Sequence, residues 1–266
     1  TKQESKNAFG SDTVYFEKFI ENPRHIEVHF VADGIGNAIH LGTRDCSMQR
    51  RHQKIIEEAP ALDINQASLE ETLKACLTLC KNIQYSGVGT LEFLYEDGEF
   101  YFIEMNTRIQ VEHPVSEMIT GFDLVKAQLK LALNMEITLY QKEIIFRGHA
   151  MECRINAEDP ETFIPSPGII NKMHPPGGFG VRFDAHIYSG YLVPPHYYSL
   201  LAKIITDANT RESCIKRMLS ALDEFFVDGI STNHSLHQKL LEDKTFCKNE
   251  HNINYLEGSF LKNECN

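Results

Sequence analysis

Apolar and polar positions alternate along the first part of the chain in a way that predicts paired strands. Residues 25–32 alternate regularly, as a strand does when one of its faces is buried. The glycine-containing segment 33–37 leads into an apolar run at 38–42, so these segments predict a β-hairpin. The apolar run at 14–20 predicts another short strand, which ends before Pro23 because proline cannot donate a ladder hydrogen bond.

Helical spacing of apolar positions appears in four other segments. Residues 65–82, 123–134, 211–226 and 231–241 each place their apolar side chains on one face, which is typical of amphipathic helices. The first of these is expected to be capped near Asn65. Helices of this kind must pack their apolar face against other elements, so the pattern predicts a folded core.

The second part of the chain changes in composition. A strand predicted over residues 147–156 is followed by segments rich in proline and glycine, which indicate short strands joined by tight turns. We therefore expect an α+β protein with two domains, residues 1–146 and 147–266, that meet near Phe146.

A second hairpin is predicted from residues 87–95 and 99–104, and its turn decides where two acids lie. A two-residue loop places Glu92 and Glu104 on opposite faces. A three-residue loop with Gly98 left-handed places both on one face as diagonal neighbours, about 7–8 Å apart at Cα. A divalent ion fits between two carboxylates at that separation.

Composition narrows the class of protein. The 266 residues are enough for one large or two ordinary domains, and the formal net charge is −11. An acidic chain is not expected to bind nucleic acid or an anionic membrane, since both need a basic surface. No apolar run approaches the roughly 20 residues of a membrane span, and no leader is seen. We expect a soluble, cytoplasmic protein.

The cysteines do not point to a metal or disulfide framework. The seven of them form no CxxC pair and no repeating spacing, so zinc sites and a disulfide scaffold are not expected. They are expected to be reduced and mostly buried.

The polar stretch 104–112 is the strongest candidate for a site, because it follows an apolar strand and holds carboxylates, amides and a guanidinium. Glu104 and Asn106, together with Glu92, supply the hard oxygen ligands by which Mg²⁺ is held when phosphates complete its coordination. The alternative is that these acids simply face solvent.

Arg108, Gln110 and Glu112 alternate with apolar residues and would point to one side of an extended backbone. Arginine offers a planar fork for a carboxylate-like anion, and Glu112 beside such an anion could accept its proton. A surface stripe of salt bridges explains the same pattern.

Two further groups of charges remain. Residues 44–54 are rich in cations and show neither helical nor strand periodicity. One interpretation is a solvated basic loop. The alternative is a phosphate or ribose site that is lined by His25, Gln49, His52 and Lys54. Arg154 lies inside an apolar strand, where an unpaired charge is costly. It therefore needs an anionic partner, from the protein or from a substrate.

These segments resemble the biotin carboxylases, which are ATP-grasp enzymes, from about Val14 to Leu256. The resemblance is strongest to the biotin carboxylase that forms a separate polypeptide in bacterial-type acetyl-CoA carboxylases. It is carried by four stretches: residues 19–27, 44–54, 104–114 and 147–159.

The resemblance implies the C-terminal subdomain of an ATP-grasp domain, mainly antiparallel sheet with helices, followed by a biotin carboxylase C-terminal domain. It also implies ATP-dependent carboxylation of biotin by bicarbonate through carboxyphosphate, the first half-reaction of acetyl-CoA carboxylase in fatty-acid synthesis. The implied partners are a biotin carboxyl carrier protein, carboxyltransferase subunits and a second copy of the chain, with residues 177–180 as a candidate interface. The alternative for Phe179 is a buried loop side chain.

Residue roles follow from the matching motifs. Glu92, Glu104 and Asn106 would hold Mg²⁺ or Mn²⁺, and Arg154 would steady the biotin enolate. Bicarbonate would be bound by Lys54, Arg108, Gln110 and the backbone of Val111, and would be deprotonated by Glu112. The ATP site would be formed by Glu17, Lys18, Ile20, His25, Gln49, His52 and Leu94.

Several departures from the family pattern leave alternatives open. The family's N-terminal domain and glycine-rich lid are absent, so this chain could be a folded core and dimerisation module without turnover. The same domain from a pyruvate or propionyl-CoA carboxylase is a further alternative. Asn254 replaces a histidine of a close relative, and Tyr198 replaces the usual aspartate.

Overall fold

The structure, a computed structural model, describes residues 1–135, 140–196 and 199–264. Its helices and strands follow one another with short connections. The helices are α1 (Lys2–Phe9), α2 (Gln66–Asn82), α3 (His113–Thr120), α4 (Leu124–Ala132), α5 (Arg211–Glu224), α6 (His234–Glu242), α7 (Lys244–Cys247) and α8 (Leu261–Glu264), with a 3₁₀ turn at Gln141–Glu143 and a π-helical turn at Leu256–Phe260. The strands are β1 (Arg24–Asp33), β2 (Ala38–Arg50), β3 (Gln53–Ala59), β4 (Ser86–Glu96), β5 (Glu99–Asn106), β6 (His149–Asn156), β7 (Gly168–Ile169), β8 (Lys172–His174), β9 (Val181–Ala185), β10 (Leu192–Val193), β11 (Leu200–Ala208) and β12 (Phe226–Asp228).

One antiparallel sheet of eight strands organises the molecule, in the order β5-β4-β1-β2-β3-β6-β11-β9. Strands from the first and second parts of the chain meet where β3 pairs with β6. The predicted division near Phe146 stays a prediction, since the sheet itself continues across it. β1 lies inside the sheet, and all its residues between Arg24 and Asp33 are buried.

Apolar clusters cover the sheet on both faces. Val28 and Phe30 of β1 lie in the cluster that α2 covers, through Cys76 and Cys80. Val31 lies in another cluster with Leu124 and other residues of α4. Because side chains alternate along a strand, His25, Glu27 and His29 share the face of Val31. The largest cluster packs α5 and α6 against β6 and β11.

The predicted helices are confirmed, and side-chain caps explain where three of them begin. Asn65, Asp123 and Thr210 each accept a hydrogen bond from a backbone N–H in the first turn of α2, α4 and α5. Caps of this kind satisfy donors that the helix leaves unpaired. The hairpins, β6 and the short strands of the second part are confirmed as well.

The predicted strand at 14–20 is wrong. This segment has no regular structure, and its apolar side chains Tyr15, Phe16 and Phe19 are exposed while Ile20 is buried. An isolated extended segment gains no ladder hydrogen bonds, and within the described residues no strand pairs with it. The preceding helix α1 was not predicted and has no buried residue.

The interpretation of residues 44–54 as a solvated loop is also wrong. β2 continues to Arg50, the turn is made by Arg51 and His52 with φ of 47° and 63°, and β3 begins at Gln53. Periodicity fails here because both faces of the hairpin are buried, with polar residues among them. The buried polar residues of this part of β2 are Arg44, Asp45, Ser47 and Gln49.

The β4–β5 hairpin combines features of the two alternatives. Glu96 pairs with Glu99, which defines a two-residue loop, and Phe93 pairs with Phe102. A bulge then adds one residue to β5, so that Glu92 pairs with Glu104. The two acids therefore share one face as direct partners, and the predicted diagonal arrangement is wrong.

No helix in the described ranges is long and apolar enough to cross a lipid bilayer.

Candidate functional site

Glu27 lies at the centre of a buried charge cluster on the face of the sheet opposite α2. It is fully buried, and its Oε2 accepts hydrogen bonds from Nε (2.9 Å) and Nη2 (2.6 Å) of the buried Arg44. Its Oε1 contacts the ammonium of Lys54. Although burial opposes ionisation, Arg44 and Lys54 lower the pKa of Glu27 well below its usual range. Glu27 is thus a fixed negative charge.

Lys54 gathers three carboxylates from different parts of the sequence. Besides Glu27, its Nζ lies 3.2 Å from Oε1 of Glu92 and 2.7 Å from Oε1 of Glu112. Burial opposes the charge of Lys54, but these acids outweigh it and raise its pKa above the ordinary value. Lys54 is therefore a permanent cation in the floor of the site.

Glu112 lies just before α3, between two cations. Lys54 contacts its Oε1, and Nη2 of Arg154 lies 2.9 Å from its Oε2. Burial and the charge of Glu27 oppose ionisation, but Lys54, Arg154 and Arg44 outweigh them and lower the pKa of Glu112. Glu112 is an ionised carboxylate that both neighbouring cations hold in place.

The three predicted metal-binding side chains are brought together at the end of β5. Nδ2 of Asn106 donates hydrogen bonds of 2.9 Å to Oε1 of Glu92 and to Oε1 of Glu104. The amide donors thus occupy the space between two carboxylates that are direct strand partners. A divalent cation suits the same space, since it would meet two carboxylates and, after rotation of the amide, a carbonyl oxygen. The residues fit Mg²⁺.

Gln110 joins the cluster from the segment after β5. Its Oε1 accepts a hydrogen bond from Arg44, and its Nε2 donates to Oε1 of Glu92 at 2.7 Å. The carbonyl of Val111 accepts a hydrogen bond of 2.7 Å from Nζ of Lys203. These contacts hold the backbone between the metal-binding trio and Glu112.

The predicted extended stripe of Arg108, Gln110 and Glu112 is wrong as a local structure. β5 ends at Asn106, the chain turns at residues 111–112, and α3 begins at His113. Gln110 and Glu112 are buried together, whereas Arg108 is exposed and donates to the carbonyl of Ile109 at 3.3 Å. A helix start was signalled by Pro114, a residue favoured in the first turn.

Arg154 has the anionic partners that its position in β6 requires. Its Nε and Nη2 lie 2.5 Å from Oε1 of Glu57, and its Nη2 also reaches Glu112. Burial, together with the charge of Glu112, raises the pKa of Glu57 to about 7, although Arg154 opposes this. The protein itself therefore supplies the counter-ions, and the side chain of Arg154 remains 17% exposed.

The predicted nucleotide-binding residues are partly brought together. His25 pairs with Leu94 across β1 and β4, and Gln49 pairs with Lys54 across β2 and β3. Lys18 donates a hydrogen bond of 2.7 Å to the hydroxyl of Tyr101, which is the strand partner of Leu94. The remaining predicted residues lie before β1 or in the β2–β3 turn: the exposed Glu17, the buried Ile20 and the exposed His52.

His25 carries a further positive charge at the edge of the cluster. Its Nε2 lies 3.0 Å from Oε2 of Glu92 and 3.4 Å from Oε1 of Glu27, in contacts that are ion pairs more than aligned hydrogen bonds. Burial lowers the pKa of His25, but Glu27 and Glu92 outweigh it and raise the pKa to about 9. His25 is therefore protonated at neutral pH.

Sequence reasoning missed Glu27, Arg44 and Glu57. Polar residues that alternate in a strand usually face solvent, and the alternation around Glu27 predicts such a face. The available signal was the sequence Ile55-Ile56-Glu57-Glu58, in which acids follow directly on apolar residues of a strand. Glu58 is buried too, with Arg211 as its partner at 2.6 Å.

The two departures from the family pattern differ in what the structure shows. Asn254 is exposed, and its Nδ2 donates a hydrogen bond of 2.9 Å to the carbonyl of Glu21, in the segment that leads to β1. Tyr198 lies outside the described residues.

Comparisons with known proteins show which families this chain is similar to. Residues 1–140 match the family described as carbamoyl-phosphate synthase L chain, ATP binding domain, and residues 152–258 match the biotin carboxylase C-terminal domain family. The chain is 59% identical to the biotin carboxylase of Haemophilus influenzae over 264 residues, which cover 99% of this chain and 59% of the relative. It is 58% identical to the biotin carboxylase of Pseudomonas aeruginosa, covering 97% of this chain and 57% of that protein.

Solved structures are similar over nearly the whole chain. A biotin carboxylase of Campylobacter jejuni in complex with beta-gamma-ATP superposes with a TM-score of 0.91 at 46% identity, covering 96% of this chain and 57% of that one. The biotin carboxylase domain dimer of Hydrogenobacter thermophilus 2-oxoglutarate carboxylase, in complex with MgADP, ADP and bicarbonate, gives 0.90 at 45% identity, with 96% and 57% covered. The chain thus spans somewhat more than half the length of the proteins it matches.

Proposed function

The chain belongs to the biotin carboxylase family, and we propose that its site serves the ATP-dependent carboxylation of biotin by bicarbonate. The observation that carries the proposal is Glu112, a buried and ionised carboxylate held between Lys54 and Arg154. An ionised acid among cations suits a site that binds a small anion and accepts its proton. The carboxylases of known structure bind ATP or ADP and bicarbonate, which supports this chemistry.

In the proposed first step, Glu112 takes the proton of bicarbonate. A bicarbonate oxygen then forms a bond to the γ-phosphorus of ATP, and the bond from that phosphorus to the bridging oxygen of ADP breaks. The products are ADP and carboxyphosphate, so charge and atoms balance. Lys54 would stabilise the anion, because its ammonium lies within reach of Glu112 and carries its charge permanently.

The remaining bicarbonate contacts come from the segment between β5 and α3. Gln110 and the backbone of Val111 are held in place by Arg44 and Lys203. Arg108 is exposed, and its planar fork can close over a bound anion with two parallel hydrogen bonds. Gln110 and Val111 are thus fixed by other side chains, whereas Arg108 is the exposed contact.

Glu92, Glu104 and Asn106 would hold Mg²⁺ or Mn²⁺, which supplies charge neutralisation for the phosphates when bound. His25 and Gln49 lie on the same face of the sheet and would contact the nucleotide. Their proposed partners in the ATP site are Glu17, Lys18, Ile20, His52 and Leu94.

Arg154 would steady the enolate of biotin, because its side chain is partly exposed and contacts Glu112. Carboxyphosphate would deliver the carboxyl group to that biotin, presented by a biotin carboxyl carrier protein in the cytoplasm. We assign the reaction to acetyl-CoA carboxylase, with carboxyltransferase subunits as further partners. Identity to one of the pyruvate carboxylase subunits of Methanothermobacter thermautotrophicus is 46%, so pyruvate is the second candidate acceptor.

A homodimer is proposed through the second of two domains, residues 147–266. Phe179 is 93% exposed, so the buried-loop alternative for this side chain is wrong. It lies in a shallow groove with Val181 and Ala221, and the guanidinium of Arg217 lies 5.7 Å from its ring centre. An exposed aromatic ring beside an arginine is typical of protein interfaces.

The test is ADP release by the full-length protein and by the 266-residue chain, with bicarbonate and biotin each present or omitted. ADP release by the full-length protein that needs both compounds supports the function. Release that is independent of bicarbonate contradicts it. Activity of the full-length protein alone means that this chain is a folded core whose turnover needs further segments.

A further inference from the structure

The guanidinium of Arg154 donates hydrogen bonds to two buried carboxylates, Glu57 and Glu112, through different nitrogen atoms. Nε and Nη2 lie 2.5 Å from a single oxygen of Glu57, whereas Nη2 alone reaches Glu112, at 2.9 Å. Glu57 is fully buried, and Arg154 is 17% exposed. The Nε–Nη2 edge of the guanidinium is therefore held by Glu57, and Nη2 is shared with Glu112.

Strand register fixes where Glu57 sits. Glu57 of β3 is the direct partner of Glu152 of β6, so it is a diagonal neighbour of Arg154 on the same face. The backbone at Arg154 is held as well, since its carbonyl accepts hydrogen bonds from Nδ2 of Asn233 (3.1 Å) and Nε2 of His237 (2.7 Å) in α6. The strand register and these hydrogen bonds fix the backbone positions of Glu57 and Arg154 relative to each other.

The hydrogen bonds leave one part of each group without a partner. Within residues 1–135, 140–196 and 199–264, no hydrogen bond is found to Nη1 of Arg154, and the buried Oε2 of Glu57 has none. Glu57 is thus committed to Arg154 through one oxygen. Nη1 is the nitrogen that remains available for a ligand.

We propose that Glu57 is a positioning residue that holds Arg154 with Nη1 directed to the anionic ureido group of biotin. The inference rests on the function proposed above, and it names a group that acts only through Arg154. In a variant without the carboxylate of Glu57, Glu112 is the side chain that still accepts a hydrogen bond from the Arg154 guanidinium. A planar fork turns readily onto a single carboxylate to form two parallel hydrogen bonds, which would withdraw Nη1 from the substrate.

A long side chain that is ordered in advance loses less conformational freedom when its ligand binds. Glu57 therefore acts on the affinity for biotin and on the carboxylation step, and it should leave ATP binding unchanged. This separates positioning from a general loss of folded protein, which would lower the active fraction equally for every substrate.

The test compares Glu57→Gln with the unchanged full-length protein at pH 8, using free biotin as substrate. We expect kcat/KM for biotin to fall at least about tenfold, the value of one charge-assisted hydrogen bond, with a raised KM for biotin and an unchanged KM for ATP. Glu57→Asp keeps the charge but withdraws it by one methylene, so it should raise the KM for biotin by a smaller factor.

Glu152→Gln is the matched control, because Glu152 is a buried neighbour whose carboxyl group makes no hydrogen bond and lies 3.9 Å from Nζ of Lys203. Burial raises the pKa of this carboxyl group well above the usual range. It should leave kcat/KM for biotin unchanged. In an Arg154→Met background, Glu57→Gln should have little further effect, since the two act as one unit.

An equal loss in both backgrounds, or an unchanged KM for biotin in both Glu57→Gln and Glu57→Asp, overturns the inference while the proposed function stands. A wild-type protein without biotin-dependent ATP cleavage instead contradicts the function itself.

Discussion

Replacing Glu27 by glutamine removes the charge on which the buried cluster is built. Glu27 and Arg44 are both fully buried and joined by two hydrogen bonds, and breaking such a pair from one side costs about 3–5 kcal/mol. Lys54 keeps Glu92 and Glu112 as partners, so most of the loss falls on Arg44. We therefore expect the free energy of unfolding of Glu27→Gln to fall by about 4 kcal/mol, or the Tm by roughly 10 °C.

The assay is thermal and urea unfolding of this chain followed by circular dichroism. Glu212→Gln is the control, because it is the same substitution in an ion pair with Lys216 whose side chains are 78% and 72% exposed. Exposed pairs contribute little, so its Tm should not change. A Glu27→Gln variant as stable as Glu212→Gln would refute the view that the ionised Glu27 is the buried counter-ion of Arg44.

Two other predictions concern pH and assembly. The pKa of His25 is raised to about 9. Its contribution to the free energy of unfolding is therefore complete below about pH 6.5 and is lost as the pH rises through 9. The shift of the pKa corresponds to roughly 3 kcal/mol. The free energy of unfolding of a His25→Gln variant should lack this decline with pH. Parallel curves of unfolding free energy against pH for the two proteins would contradict the reasoning. Phe179→Asp should convert a dimer to monomers in sedimentation, whereas Phe9→Asp, a change at another exposed phenylalanine, should not. A dimer that Phe179→Asp leaves unchanged removes Phe179 from the interface.

Helices and hairpins could be predicted because their signals are local. The apolar face of α2 and its cap at Asn65 lie within one short segment, and so do the two strands and turn that begin the sheet. The resemblance to the biotin carboxylases named the site residues, since their motifs are continuous in sequence. Local pattern and motif together were enough for the fold class and for most of the candidate site.

Features that depend on strand neighbours could not be predicted. Glu27 lies in an alternating strand, and its polar face becomes an interior only because side chains from distant segments, such as Arg44 and Lys54, pack against it. The bulge that pairs Glu92 with Glu104 has no local signal, since a two-residue loop alone would separate them. The burial of Arg44 has no local signal either, because its compensation by Glu27 and Gln110 comes from distant segments.

Glu112 is the residue proposed to accept the proton of bicarbonate, so its carboxylate is the group to test. The most direct test is the rate of bicarbonate-dependent ADP release by Glu112→Gln in the full-length protein, at saturating ATP. Loss of a general base lowers such a rate by about 10²–10⁴-fold, and we expect a loss in that range with nucleotide affinity retained. A Glu112→Gln protein that releases ADP at the wild-type rate in the presence of bicarbonate would contradict it.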